Sequence, residues 1–129
     1  MPAAYRRSHL TPDGWAFARS WAEAWNRHDV EAVIGLFAED VVFTSPLARS
    51  LPGFPDGEVR GKAALRDYWT AALAQVPDLR FDIRFVQVGI DLIIIGFRNQ
   101  QGVERCEILK LRDGLVLEGH GTYPAPFGA

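Results

Sequence analysis

Past Pro77 the apolar residues change their spacing, and that change constrains the fold more than any other feature of the chain. Leu79, Phe81, Ile83 and Phe85 alternate with Arg80, Asp82 and Arg84, the period of a strand with one apolar and one polar face. At Phe85-Val86 the apolar phase slips to Val86 and Val88, which predicts a bulge or bend. Three more strand-like runs follow, DLIIIGFRN, VERCEILKL and LVLEGHGTY, separated by NQQG and RDG. Separators this short make hairpins, and Asp113-Gly114 is a favoured turn pair. One face of such a sheet is too apolar to stay wet, so the earlier part of the chain has to cover it.

Upstream the spacing is helical. Thr11 is placed to cap a helix that accepts Pro12 in its first turn, and Trp15, Ala18, Trp21, Ala22 and Trp25 form its apolar stripe. Asn26 to Asp29 reads as a break, with Asp29 capping a second helix, DVEAVIGLFAED, that turns Val30, Val33, Ile34 and Phe37 inward and leaves Glu31, Glu39 and Asp40 exposed. VVFTSP reads as a short strand. The Gly- and Pro-rich LARSLPGFPDGEVRG reads as a long connection, either a rim or lid or a plain surface excursion. After Gly61 or Lys62 a third helix carries Leu65, Tyr68, Trp69, Ala72, Leu73 and Val76 at helical spacing, and Pro77 favours its end. The expectation is an α+β fold in which three N-terminal helices pack on a strongly curved, mainly antiparallel sheet and leave a cone between the layers. One domain, 1–129, is expected, with its core at about 10–124 and MPAAYRRSH and TYPAPFGA as loosely held ends.

The charges limit the partners. Fourteen basic against sixteen acidic residues give a formal charge of -2, and Arg6-Arg7 is too short for a polybasic arm, so nucleic acid is not expected. The longest apolar run, VGIDLIIIGF, contains Asp91 and is too short to span a bilayer, so no membrane partner is expected. Cys106 is the only cysteine, which excludes an intrachain disulfide and a multi-cysteine zinc site and makes the cytoplasm the default compartment. His9, His28 and His120 have no metal-binding spacing, and no Gly-rich phosphate loop follows a strand, so neither metal nor cofactor is expected.

The sequence resembles the nuclear transport factor 2-like superfamily, and within it the SnoaL-like proteins, named for a polyketide cyclase. The residues that carry the likeness are W25-N26-R27-H28-D29 leading to L36-F37-A38-E39-D40-V41-V42-F43, then R60-G61-K62-A63-A64-L65-R66, P77-D78-L79-R80-F81 and L111-R112-D113-G114. The resemblance implies the cone-shaped fold. Related scaffolds include isomerases, cyclases, epoxide hydrolases, dehydratases and non-enzymatic domains, so it leaves the chemistry open. Aligned with ketosteroid isomerase, the tyrosine oxyanion donor falls on Trp21, the proton-transferring aspartate on Ser45 and its acid partner near Glu107, so only one ionisable acid is kept. Many SnoaL-like sequences end in an E-H-R-D-Y-like strand, where this one has E118-G119-H120-G121-T122-Y123 and so puts Gly121 in place of the aspartate. The Arg-x-Asp pair of epoxide hydrolases has only an echo, on a different strand, in Arg105-Cys106-Glu107.

Glu107 is therefore the candidate catalytic residue. If it points inward with Leu109 and Leu111, burial raises its pKa while Arg105, on the same strand face, lowers it; if it faces solvent, Cys106 and Ile108 take the interior. His120 is a candidate proton shuttle, or an outer-face residue if Leu117 and Tyr123 turn inward, in which case Gly119 and Gly121 widen a cavity or accommodate curvature. Trp21, Trp25, Tyr68, Trp69 and Tyr123 are candidates for an aromatic wall around a hydrophobic small molecule, with core packing as the alternative, and Ser45 and Arg98 are candidate contacts at its mouth. Cys106 reads as an apolar filler. Cys106, Ile108, Val116 and Thr122 are expected on the outer sheet face, which a homodimer would cover. The functional expectation is metal-independent proton transfer on a cyclic or polyketide-like compound, by an isomerase or cyclase. A non-catalytic module for an apolar ligand and a dimeric interaction domain are the alternatives.

Overall fold

The computed structural model describes residues 13–126. The elements run α1 (Gly14–Asn26), α2 (Val30–Ile34), β1 (Phe37–Thr44), one 3-10 turn (Ala48–Ser50), β2 (Glu58–Arg60), α3 (Lys62–Gln75), β3 (Asp82–Gly89), β4 (Leu92–Arg98), β5 (Glu104–Arg112) and β6 (Leu115–Thr122). The strands form one six-stranded sheet in the order β2-β1-β6-β5-β4-β3. Its pairings are antiparallel except β1 with β6, which run parallel. None of the helices among the described residues is long and apolar enough to cross a membrane.

The α+β class holds, but a cone built on a strongly curved sheet does not. The sheet is open, mixed and not strongly curled, with β2 and β3 as separate edges, and α3 follows β1 and β2 in the chain. Two strand glycines, Gly119, weighed above for curvature, and Gly96, serve packing. A Cβ at Gly96 would lie 2.1 Å from the Phe85 ring, and one at Gly119 would lie 2.9 Å from the Phe43 ring and 3.2 Å from Leu109. These two glycines seat aromatic rings against the backbone.

Local reasons for the elements are mostly those the sequence carries. Asp13 caps α1, its carboxylate accepting from the amides of Trp15 and Ala16; the expected cap, Thr11, and Pro12 lie outside the described residues. The buried stripe of α1 is Phe17, Ala18, Trp21, Ala22, Ala24 and Trp25, while Trp15 is 48% exposed and does not belong to it. Asn26 ends α1 by offering both ends of its amide to the backbone of Phe81, at 3.0 and 2.8 Å, and so fastens the helix to the approach to β3. Asp29 caps α2 as expected, but that helix stops at Ile34.

The segment FAED, read as helix, opens β1 instead. A register shift between Phe37 and Val42 buries Phe37, Ala38 and Val41 and exposes Glu39 and Asp40, a spacing that imitates a helical face. The expected slip in β3 lies between Ile83 and Phe85. A further shift at Lys110/Leu111 turns Val116 into the core, fully buried opposite Leu111, and not onto the outer face.

Candidate functional site

Strand register assembles the site. Glu107 on β5 stands opposite Ile95 on β4 and Gly121 on β6, and Ser45 follows Thr44, the β1 residue opposite His120. Pleating therefore brings Ile95, Glu107, Gly121 and Ser45 into one inward row. Among the described residues, Ser45 and Glu107 are the buried polar ones, 4% and 5% exposed. The loop after β1 holds Ser45 in place: its amide donates to the Gly57 carbonyl at 3.0 Å, and its Oγ accepts from the Leu47 amide at 3.2 Å. Gly57 has φ +74°, and a Cβ there would lie 2.8 Å from Arg49 Cγ and 3.0 Å from the Ser45 carbonyl oxygen, so the loop closes on Ser45 only with glycine at that point.

Tyr68, on α3, and Tyr123, just beyond β6, both come near enough to Ser45 for its hydroxyl to favour their ionised forms. Arg105, one inward step from Glu107, has its guanidinium 3.9 Å from the Tyr123 ring centroid and 5.1 Å from that of Phe97, and its Nε donates to the Thr122 carbonyl at 3.1 Å. Above Gly121 these side chains meet: a Cβ there would stand 3.3 Å from Arg105 Nη2, 3.5 Å from Glu107 Oε2 and 3.5 Å from Ser45 Oγ.

Burial governs the protons of this cluster. It pushes the Glu107 carboxyl up to about 7, against the opposing pull of the Arg105 charge. It pushes the Tyr68 hydroxyl up to about 12 despite the opposing influence of Ser45, and raises that of Tyr123 against the effect of Arg105. Near neutral pH both phenols keep their protons, while Glu107 can give or take one. Its Oε2 is buried without a hydrogen-bond partner, as are the indole Nε1 atoms of Trp21 and Trp25. Leaving such a group unpaired costs about 1–3 kcal/mol.

The predicted site residues divide into three groups. Ser45, Tyr68, Arg105, Glu107 and Tyr123 come together. Trp21, Trp25 and Trp69 are core residues, with rings packed on one another and on phenylalanines: Trp21 on Phe81 at 5.3 Å and Phe97 at 5.1 Å, Trp25 on Trp69 at 5.1 Å, and Trp69 on Phe37 at 5.0 Å. Arg98 and His120 are elsewhere. Arg98 pairs with Glu104 at 2.7 Å at the β4–β5 hairpin, and His120, on the outer face, takes Thr44 Oγ1 at 2.6 Å and Glu118 at 3.3 Å.

Cys106 faces away from Glu107, and burial raises its thiol pKa, which opposes nucleophilic use. His28 lies at the turn after α1, its Nε2 2.9 Å from the Leu79 carbonyl, whereas His9 falls outside the described residues. Among the described residues no group of three metal-ligating side chains is present.

Beside the cluster, an open depression of about 300 Å³ is lined by Thr44, Ser45, Pro46, Arg49, Asp56 and Gly57. Ser45 belongs to both. Arg49 and Asp56 were not singled out from sequence; the only signal was the Gly- and Pro-rich composition of their loop.

Comparison with known proteins agrees with this architecture. A SnoaL-like protein of unknown function from Burkholderia thailandensis E264 is 31% identical, with 87% of this chain and 94% of that one covered and a TM-score of 0.81. TerC, solved in complex with polyporic acid, shares 13% identity over 86% of this chain and 91% of its own, with a TM-score of 0.72. An NTF2-like protein of unknown function from Burkholderia pseudomallei K96243 shares 19% identity over 86% and 90%, with a TM-score of 0.64. At these lower identities the likeness is one of fold. Among curated proteins none matches at a significant level. The sequence profile of the SnoaL-like domain matches residues 18–119, from the buried stripe of α1 to Gly119 of β6, and the chain thus belongs to the SnoaL-like family.

Proposed function

We propose that the protein binds a hydrophobic cyclic or polyketide-like compound and moves a proton on it through Glu107 without a metal, as an isomerase or cyclase. The observation that carries this reading is the Glu107 carboxyl, 5% exposed, with Oε2 unpaired and its pKa raised to about 7. In the proposed step the carboxylate takes a proton from carbon next to a carbonyl, the electron pair moves onto the carbonyl oxygen as an enolate, and the protonated acid returns the proton to another carbon. Tyr68 and Tyr123, both with raised pKa values, stay protonated beside that acid near neutral pH.

Exchange of α-protons for deuterium in cyclic ketones such as 2-tetralone, followed by NMR in heavy water, tests it. The wild type is expected to accelerate exchange, and Glu107→Gln to lose about 100-fold or more of that acceleration while remaining folded. Unchanged exchange in the variant would remove Glu107 from the reaction.

The same reading has one SnoaL-like domain working in the cytoplasm as a homodimer through the outer sheet face. Phe85, 41% exposed on that face over Gly96, is the most apolar element in support. A Phe85→Lys chain sedimenting as a monomer, against a dimeric parent, is the expected result.

A further inference from the structure

The loop between β1 and β2 turns two opposite charges toward one open depression and pairs neither. Arg49 and Asp56 line that space of about 300 Å³ with Thr44, Ser45, Pro46 and Gly57. Among the described residues neither charge forms an ion pair, with the other or with a third group, whereas Glu58 and Arg60, next along the chain, pair with each other. The uncharged polar groups of the lining are already engaged: Thr44 Oγ1 lies 2.6 Å from His120 Nδ1, the Ser45 amide donates to the Gly57 carbonyl at 3.0 Å, and Ser45 Oγ accepts from the Leu47 amide at 3.2 Å. One guanidinium and one carboxylate remain for recognition. Both are held in place. Arg49 sits on the 3-10 turn Ala48–Ser50, its amide donating to the Pro46 carbonyl at 3.2 Å. A Cβ at Gly57 would stand 2.8 Å from Arg49 Cγ and 3.3 Å from its Cδ, so the arginine stem lies along the bare backbone of that glycine. Asp56 Oδ1 accepts from the Glu58 amide at 3.1 Å, which anchors the carboxylate at the start of β2 and leaves Oδ2 for a ligand.

We infer that this depression binds a small amino acid in its zwitterionic form, the carboxylate on Arg49 and the ammonium on Asp56. A planar guanidinium matches a carboxylate with two parallel hydrogen bonds, and an ammonium supplies the donors that the Asp56 carboxylate accepts. A simple anion would meet Arg49 but face Asp56, and a simple amine would meet Asp56 but face Arg49, so only a molecule carrying both charges satisfies both walls. The volume is at the lower end of the about 300–1,000 Å³ of small-molecule sites, which keeps the ligand small, and Pro46 offers an apolar surface to a short side chain. Because the arginine stem and the aspartate are already fixed, little ordering is needed on binding.

This site goes beyond the proposed reaction and needs no ligand at Glu107, so either can fail without the other. Alanine, γ-aminobutyrate, acetate and ethylamine are the probes, titrated in low-salt buffer, where exposed charges are least screened, while the Gly57 and Glu58 amide signals are followed by nitrogen-15 NMR. At least one of the two amino acids should bind about tenfold more tightly than acetate or ethylamine, the second charge adding one charge-assisted hydrogen bond. The two differ in the separation of their charges, so the tighter one reports the spacing of Arg49 and Asp56. Arg49→Gln and Asp56→Asn, both at exposed positions and expected to fold, should each bring that amino acid down to the level of the single-charge probes. Acetate binding as tightly as the amino acids overturns the inference and leaves a plain anion site. A preference that survives either substitution overturns it as well, as does the absence of any shift with both amino acids.

Discussion

Neighbouring residues on the same two strands show how differently the faces of this sheet treat a titratable group. Glu107 and Gly121 face inward, and Ile108 and His120, one step along, face outward. His120 has a hydroxyl at 2.6 Å and a carboxylate at 3.3 Å, and its side chain is 37% exposed. Glu107 has an unpaired oxygen and no such access, and it sits near a pKa of 7. The histidine is by residue type the more natural proton shuttle at neutral pH, yet the pleat gives that capacity to the glutamate. Position in the sheet, more than side-chain chemistry, decides which group is poised.

The largest expected consequence of that contrast lies in stability against pH. The folded-state pKa of Glu107 is raised above its unfolded value, so between them the folded state holds the extra proton. Its favourable contribution is fully present below the unfolded value of about 4.3 and is lost as pH rises through about 7, a change of about 4 kcal/mol. Urea unfolding should therefore find Glu107→Gln close to the wild type near pH 4 and more stable at pH 8. A variant that is less stable at pH 8 would break the contrast between the faces.

A smaller effect separates the two glycines. Gly119→Ala drives a Cβ into the Phe43 ring and should cost about 1–3 kcal/mol in thermal unfolding. Gly121→Ala meets only polar side-chain ends and should cost less than about 1 kcal/mol. The reverse order would mean that Gly121, not Gly119, is the packing residue. The smallest effect belongs to the outer face: His120→Ala loses one hydrogen bond to Thr44, worth about 1 kcal/mol, and should leave the proton exchange through Glu107 intact. Loss of that exchange would tie the two faces together.

The sequence reveals the elements better than it reveals their bends. The stripe from Ala18 to Trp25, the face of α3 and the period of two beyond Leu79 follow from local spacing, so they are legible. Phe37 and Ala38 read as helix because a bulge in a strand gives burial a helical interval, and Val116 reads as outward because a register shift between β5 and β6 reverses its side. The inward aim of Glu107 follows from alternation with Leu109 and Leu111, all three buried. Its meeting with Ser45 does not, because it depends on the parallel pairing of β1 with β6, two strands far apart in the chain. The polar surroundings of Gly121 are equally invisible, since a glycine says nothing about what surrounds it.

The titration of the Glu107 side-chain carboxyl, followed by carbon-13 NMR in the folded protein and assigned with Glu107→Gln, bears most directly on the poised acid. A midpoint near 7 is expected. A midpoint near the ordinary glutamate value of about 4.3 would contradict it.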